Sequence, residues 1–470
     1  MADTRTSTKR RPEKSPPAHK RGKRGTISIP RPHFPIERAT LDNGLRVVLA
    51  PDRGAGVVGI AVHYDVGFRS EPQGRTGFAH LFEHLMFQGS ESLPKLEHFR
   101  IVQASGGVFN GSTHFDYTDY FEVLPAAGLE RGLFLEADRM RAPKLTAESL
   151  ANQVDVVKEE IRLNVLNRPY GGFPWILLPP VLFDSFANAH NGYGDFVDLQ
   201  AATVADCAGF FDTYYTPANA VLTICGDFDP GMALDLAGSH FGDVPHRPRP
   251  ERPSFAEPAP ASVRRATHLD RMAPAPALAV GWRIPDPVGD LSGYLAQVVL
   301  GSILSDGEAS RLRSAIVTKG LATEVWAGPG LMGGPLDSRD PDAFVLGALH
   351  TPGVPAGRLM DISNEQIADI AGNGPDDAEL QRAVIQFCSW MFRDNDGIGP
   401  RTRSIGSLEL LHDRAELIDE IPDLVSVLTV GDIAAAASAL DPERCAVLEV
   451  LPGAGSLDDG TSVQYGGDRA

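Results

Sequence analysis

The stretch TVADCAGFFDTYYTPANAVLTICGD (residues 203–227) has a counterpart near the end of the chain, TVGDIAAAASALDPERCAVLEVLPG (residues 429–453). Each stretch is typical of a helix followed by a turn and a buried strand. A unit that occurs twice in one chain predicts two copies of the same α/β fold. The two stretches align without a gap and share Thr203 with Thr429, Asp206 with Asp432, and Val221 with Val447.

The beginnings of the two halves also match each other. An alternating pattern typical of a strand occurs in VVGIAVHYDVG (57–67) and again in ALAVGWRIPDP (277–287). In each half a polar loop follows, and then an apolar helix that begins with a glycine and an aromatic residue, at Gly77 and at Gly293. The repeat therefore extends over most of the chain.

A proline-rich run, RPRPERPSFAEPAPAS (247–262), separates the two halves. This composition favours extended, exposed backbone, so the run is the predicted linker. We therefore expect an α+β protein with two homologous α/β domains, 35–246 and 263–455. Residues 1–34 and 456–470 are expected to be flexible tails.

Composition and charge narrow the classes of partner. The chain is 43% hydrophobic and 22% charged, and no apolar run reaches the ~18 to 20 residues of a membrane span. The first 24 residues hold nine Lys/Arg and two Asp/Glu; removing their +7 from the net −18 leaves −25 on the remainder. Such a basic segment is a nucleic-acid tether or, more commonly, a solubilising tail, and the acidic remainder argues against nucleic acid as the main partner.

The four cysteines are far apart in the sequence and form no CxxC pair. This spacing indicates neither a disulfide framework nor a thiolate metal site, and it is typical of a reducing compartment. The N-terminal segment lacks the apolar core of a secretory signal. We therefore expect a cytoplasmic protein.

The segment GFAHLFEHLMFQGS (77–90) places His80, Glu83 and His84 in an otherwise apolar helix. Residues i and i+4 project from one face of a helix, so the two imidazoles can converge on one ion. Neutral imidazoles are good zinc ligands, and the adjacent carboxylate can act as a general base. This H-x-x-E-H order is a metallopeptidase motif, and only about 0.02 chance matches are expected in a chain of this length.

The second half provides a control for this motif, because its matching helix carries ordinary core residues. These are Ala296, Val299 and Leu300. The fold therefore does not need the polar trio of the first half.

A zinc site with two histidines needs a third protein ligand. The segment LTAESLANQVDVVKEEIRLNVLNRPYG (145–171) is predicted to be a long helix with one apolar stripe. On a helical wheel Glu159 lies opposite the stripe and Glu160 lies at its border, so Glu160 is the preferred ligand. The alternative is that each is an ordinary solvated glutamate.

These motifs resemble those of a known family of zinc peptidases, that of pitrilysin, insulysin and the mitochondrial processing peptidase. The resemblance covers most of the first half and is weaker in the second. It rests on TGFAHLFEHLMFQGS, NGSTHFDYTDYFEVLP, LFLEADRM and VVKEEIRLNVLNRPYG, in this order.

The resemblance implies repeated α/β domains with mixed, mostly antiparallel sheets, four of which close into a chamber for peptides and unfolded segments. A chamber therefore needs two chains of this length. The third ligand of the family falls on Glu160, with one Zn²⁺ per chain, and Gln153 stands where several members have an acidic residue. Substrate is expected to pair with the edge strand FNGST, with Asn110 and Gly111 as its contacts.

One departure from the family concerns the far half of the chamber. Active members carry there an Arg and a Tyr that help to hold the scissile carbonyl. In SRLRSAIVTKGLATEV (310–325) these positions are Val317 and Thr323. The resemblance therefore implies a heterodimer in which a homologous subunit supplies the Arg and the Tyr.

Together these observations predict a zinc metalloendopeptidase subunit. Zinc would be held by His80, His84 and Glu160, and Glu83 would be the general base. The alternative is a non-catalytic core or scaffold subunit of a larger assembly, which some relatives have become. A nucleic-acid-tethered factor would rest on the basic tail alone.

Overall fold

The computed structural model describes residues 33–258, 260–331, 333–339 and 341–453. It has two domains, each a mixed, mostly antiparallel sheet packed with helices, which confirms the predicted α+β class. The predicted tail 456–470 lies outside the described residues, and so does the predicted tail 1–34 except for its last two residues.

The first domain is built on a six-stranded sheet in the order β1-β2-β6-β3-β5-β4. Only β2 and β6 pair in parallel, and the other neighbours are antiparallel. The strands are β1 Glu37–Thr40, β2 Arg46–Pro51, β3 Val57–Tyr64, β4 Val108–Thr113, β5 Thr118–Pro125 and β6 Ala220–Gly226.

The second domain repeats this topology in a five-stranded sheet of order β7-β11-β8-β10-β9. Its parallel pair is β7 with β11, in the place of β2 with β6, and β9 takes the edge position of β4. The strands are β7 Arg264–Asp270, β8 Ala277–Ile284, β9 Ala322–Pro329, β10 Asp342–His350 and β11 Ala446–Pro452.

The helices cover both sheets. In the first half they are α1 Phe78–Leu85, α2 Glu97–Ala104, α3 Leu129–Arg141, α4 Ala147–Ile161, α5 Pro179–Leu182, α6 Phe186–Ala189, α7 Phe196–Gln200, α8 Val204–Tyr214 and α9 Pro230–Phe241. In the second half they are α10 Leu291–Ser305, α11 Ala356–Asn373, α12 Asp377–Asp394, α13 Ile398–His412, α14 Leu417–Ser426 and α15 Val430–Ser438. Among the described residues no single helix is long and apolar enough to cross a membrane; α14 and α15 reach that length and composition only as a pair bent by 98°.

The sequence repeat has a physical cause at the start of α8 and of α15. Thr203 caps α8 and Thr429 caps α15, and each forms a capping box with the aspartate three residues later, Asp206 or Asp432. Each box satisfies two backbone N–H groups that have no partner within the helix. The shared Thr and Asp therefore fix where the helix begins in both copies.

A helix from each domain packs on the sheet of the other domain. The second-domain helix α13 packs on the first sheet, and Val48 and Val221 of that sheet share a core with Ile405 of α13. Conversely, α5 of the first half packs on the second sheet. Leu178 and Leu182 lie against Gly281 of β8, which has no side chain and so leaves room for them. Strands β3 and β8 are consequently buried on both faces, whereas an alternating pattern predicts one buried face.

The proline-rich connection carries no helix or strand among its described residues. It is nevertheless tied to the first domain, because Arg249 and Arg252 pair with the buried carboxylate of Asp65. Arg339 of the second domain pairs with the same carboxylate at 2.8 Å. Asp65 thus joins the connection and both domains.

Candidate metal centre

The site is built around the start of α1, where the backbone of Gly77 has a φ of 82°. This left-handed conformation favours glycine, and a Cβ there would lie 2.7 Å from the Tyr193 carbonyl oxygen. The first turn donates its free N–H groups to Glu71, from Gly77 at 2.9 Å and from Ala79 at 2.8 Å. His190 Nε2 lies 3.0 Å from the same carboxylate, so the helix start is fixed by residues distant in sequence.

The structure brings His80, His84 and Glu160 together. Glu160 Oε2 lies 3.6 Å from His80 Nε2 and 3.3 Å from His84 Nε2. One ligand atom of each residue lies within 4.8 Å of the other two. Glu159, in contrast, is exposed and pairs with Arg162 at 3.2 Å. The helical-wheel preference for Glu160 thus agrees with the observed orientation.

A further layer of polar and aromatic groups orients these three side chains. The Gln153 side chain lies next to His84 and raises its pKa, and the Asn164 side chain lies next to Glu160 and lowers its pKa. The Tyr193 ring stands edge-on to the His80 ring, with centroids 5.1 Å apart. Such groups fix the orientation of metal ligands and raise affinity.

The helix that carries Glu160 is shorter than predicted. α4 ends at Ile161 and continues as one π-helical segment, Arg162–Leu166, instead of running through 145–171. Pro169 disfavours helical backbone in the residue before it, which explains the end of the helix. The π-helical segment carries Asn164 to the Glu160 carboxylate.

Glu83 lies between α1 and the edge strand β4. The Thr113 hydroxyl donates a hydrogen bond of 2.6 Å to Glu83 Oε2. A Cβ on Gly111 would lie 3.2 Å from Glu83 Cγ, so the glycine leaves room for the carboxylate. Asn110 points to the opposite face of β4 and is exposed. Of the two predicted substrate contacts, Gly111 is therefore beside Glu83 and Asn110 is not.

The protonation states of His80 and Glu160 suit a metal. Burial, together with the nearby His84, lowers the pKa of His80 to about 4, so its imidazole is neutral. The hydrogen bond with His84 lowers the pKa of Glu160, which is therefore a carboxylate. Burial lowers the pKa of His84, but Glu160 outweighs this effect and leaves the pKa above its ordinary value.

The donor set fits zinc on these grounds. Two imidazole nitrogens and one carboxylate oxygen, supplied by two helices, form a three-ligand set that leaves a fourth position free. His80 Nδ1 is buried and has no hydrogen-bond partner among the residues that the structure describes, so the ring gains its polar contact through Nε2. Burial raises the pKa of Glu83 above its ordinary value, although Thr113 opposes the rise.

Several residues of this site were not found from the sequence. None of the missed residues has a sequence spacing that identifies it. They make their contacts across long sequence separations or by accepting hydrogen bonds from backbone N–H groups, and they are Glu71, His190, Thr113 and Tyr193. Glu71 offered one signal, because a carboxylate shortly before a helix can accept its free N–H groups.

The positions that lack the family's Arg and Tyr lie in the second domain. Val317 ends a π-helical turn, and Thr323 is an exposed residue of β9. The two nearby arginines are held elsewhere: Arg311 bonds Glu379 at 2.7 and 2.8 Å, and Arg313 lies 2.7 Å from a further glutamate.

Two family models match successive parts of the chain, and the second match runs from within the first domain into the second domain. The model described as insulinase (peptidase family M16) matches residues 46–168, and the model described as peptidase M16 inactive domain matches residues 201–387. The first match contains the candidate metal centre. The chain belongs to peptidase family M16, and the resemblance to pitrilysin-like peptidases is confirmed.

Individual relatives agree with this assignment. The zinc protease PqqE of Helicobacter pylori is 32% identical over 295 residues, which are 60% of this chain and 64% of that protein, just under two thirds of its length. An uncharacterised zinc protease of Mycobacterium leprae is 26% identical over 418 residues, 87% of this chain and 89% of that protein. The crystal structure of a protease from Helicobacter pylori matches with a TM-score of 0.82 and 25% identity, over 89% of this chain and all of that one.

Proposed function

We propose that this chain is the metal-bearing subunit of a zinc endopeptidase that cleaves peptides or unfolded segments inside a chamber. The observation that carries the proposal is the convergence of His80 Nε2, His84 Nε2 and Glu160 Oε2 beside a buried carboxylate, Glu83. Relatives named as zinc proteases support the choice of metal.

The three ligands would hold one zinc ion, which supplies the Lewis acidity that polarises a peptide carbonyl and acidifies water. Glu83 accepts the proton of the attacking water and returns it to the leaving amine. Thr113 binds Oε2 of this carboxylate and leaves Oε1 for the water.

The partner is part of the proposal. Val317 and Thr323 stand where active relatives have an Arg and a Tyr, so this chain lacks two donors for the scissile carbonyl. Removing one such donor costs roughly 10² to 10³ in kcat. A homologous subunit that carries the pair would complete the chamber.

The test uses the affinity-tagged chain, purified alone and also captured with its partner from the source cells. We expect about one zinc per tagged chain in both preparations. We expect the captured complex to hydrolyse a quenched-fluorescent peptide library, and Glu83→Gln to lower kcat by roughly 10³-fold or more while zinc is kept.

Glu159→Gln is the matched control, because Glu159 is an exposed carboxylate next to a ligand, and it should leave turnover unchanged. Three results would contradict the proposal. Absence of zinc would refute the metal centre, and full turnover by Glu83→Gln would refute the assignment of Glu83 as the base. Full turnover by the chain alone would refute the need for a partner. A zinc-free chain that still assembles with other proteins would favour a scaffold role.

A further inference from the structure

The substrate-side strand β4 is held from two directions. Residues Gly111 and Thr113 face α1, where Thr113 donates to Glu83. Ser112 and His114 face the opposite way, as alternation along a strand requires. On that side Ser112 donates to Asp119 of β5, and two further neighbours, Arg403 and Asp337, belong to the second domain.

The first contact comes from α13. Arg403 bonds Ser112 Oγ at 2.6 Å through one guanidinium nitrogen and Asp119 at 2.6 Å through another. Asp119 is fully buried and lies opposite Ser112 on β5. The Arg403 guanidinium also lies over the Phe121 ring, 4.6 Å from its centroid. One side chain therefore contacts both β4 and the neighbouring strand β5.

The second contact comes from the loop between β9 and β10. Asp337 Oδ2 lies 2.8 Å from His114 Nδ1, and Tyr117 donates to Asp337 Oδ1 at 2.5 Å. The His114 and Tyr117 rings are stacked, with centroids 4.2 Å apart. His114 Nε2 lies 3.0 Å from Ser112 Oγ, so this contact joins the first one.

Among the described residues β4 has a neighbouring strand on one edge only, so these two contacts on its face add support that a second neighbouring strand does not give. The continuous path runs from Arg403 to Ser112, through the next backbone unit to Thr113, and on to Glu83. The family model of the inactive domain ends at residue 387 and does not reach Arg403.

We propose that Arg403 and Asp337 of the second domain are positioning residues for the reaction, and that they hold β4 so that Thr113 keeps Glu83 in place. This inference rests on the proposed function. The second domain, which supplies none of the three proposed metal ligands, would thus help to position the site of the first domain.

The test compares Arg403→Met with Arg401→Met in the captured complex. Arg401 lies on the same helix and also joins the domains, through Asp52 at 2.8 Å, but none of its hydrogen bonds within the described part of the chain goes to β4. We expect Arg403→Met to lower kcat about 10- to 100-fold with a smaller change in KM, Asp337→Asn to act in the same direction, and Arg401→Met to change kcat less than threefold. Arg403→Lys keeps one of the two bonds and should recover part of the loss.

A double-mutant cycle shows whether Arg403 acts through Thr113. Because both substitutions would release the same carboxylate, Arg403→Met should cost little once Thr113→Val is present. Additive losses would overturn the proposed path. Equal losses in Arg401→Met and Arg403→Met would also overturn it, because general domain contact would then explain both.

Hydrogen exchange separates this inference from the proposed function, because it needs no activity. In the purified chain, amides of 108–113 should exchange faster in Arg403→Met than in the wild type and in Arg401→Met. If exchange of β4 is unchanged in Arg403→Met, the positioning role is wrong even if the peptidase is real. If β4 loosens as expected but the wild type has no peptidase activity, only the proposed function fails.

Discussion

Helices α1 and α10 are the same element in two copies of one fold, yet their inner faces differ. α1 carries His80, Glu83 and His84, whereas the matching residues of α10 are apolar and at most 2% exposed. Those residues are Ala296, Val299 and Leu300. Burying imidazoles and a carboxylate costs free energy unless they find partners. Since α10 forms without them, the polar trio serves the site and not the fold.

The contact between helix and edge strand differs in the same way. In the second domain a Cβ on Gly301 of α10 would lie 2.7 Å from the Ala327 oxygen of β9, so helix and strand backbones touch. In the first domain the glycine is on the strand, at Gly111, and the helix contributes the Glu83 side chain. The first domain thus keeps space for a carboxylate where the second domain brings two backbones together.

The largest expected effect comes from shortening the same position in the two helices. His84→Ala should reduce zinc from about one per chain to near zero and abolish peptide hydrolysis, because two ligands hold zinc poorly. Leu300→Ala should leave zinc unchanged and lower the free energy of unfolding by about 3 kcal/mol, the usual cost of a core cavity. Metal analysis and chemical denaturation measure both outcomes.

The proposed difference between α1 and α10 is wrong if His84→Ala keeps its zinc or if Leu300→Ala loses it. Zinc retained in His84→Ala would mean that the motif is another buried polar cluster. Zinc lost in Leu300→Ala, with the protein still folded, would mean that the second domain holds metal.

A smaller effect is expected at His63, a buried polar residue of the first domain outside the metal centre. Burial lowers its pKa to about 4, so the folded protein resists its protonation. The resulting stabilisation is complete above the ordinary pKa of about 6.5 and is lost as the pH falls towards 4, by at most about 3 kcal/mol. His63→Leu should remove this share of the acid sensitivity, as measured by urea unfolding between pH 7 and pH 4.5.

At pH 7 the zinc content and turnover of His63→Leu should stay within about threefold of the wild type. A parallel loss of stability with pH in variant and wild type would show that His63 titrates normally. Loss of zinc would mean that His63 belongs to the metal centre, although its observed contacts do not place it there.

The smallest effects concern the two glycines between helix and strand. Gly301→Ala should destabilise the protein by about 1 to 3 kcal/mol, because its Cβ meets backbone atoms that cannot move away. Gly111→Ala meets the Glu83 side chain and the Tyr120 ring, each at 3.2 Å and neither of them backbone, so it should destabilise the protein less than Gly301→Ala while kcat falls several-fold. Thermal unfolding and peptide turnover of both variants test this difference, and equal destabilisation without loss of kcat would contradict it.

The parts of the fold and site that the sequence predicts are those encoded locally. The Thr and Asp of each capping box lie three residues apart, and the two histidines of α1 lie one turn apart, so each pattern is visible in a short window. Glu160 required only the period of its own helix.

The remaining parts depend on contacts between distant segments. His190 reaches Glu71, and Arg403 reaches Ser112, across separations of 119 and 291 residues. No periodicity specifies such pairs. The exchange of α5 and α13 between the domains is equally invisible, because neither short segment specifies which of the two sheets its helix will cover.

The most direct test of the central claim is anomalous diffraction at the zinc edge from crystals of the purified chain. The account predicts one strong peak at about 2.0 to 2.2 Å from His80 Nε2, His84 Nε2 and an oxygen of Glu160, and no peak near α10. A zinc-replete crystal without density between these three atoms, or with its zinc at other residues, would contradict it.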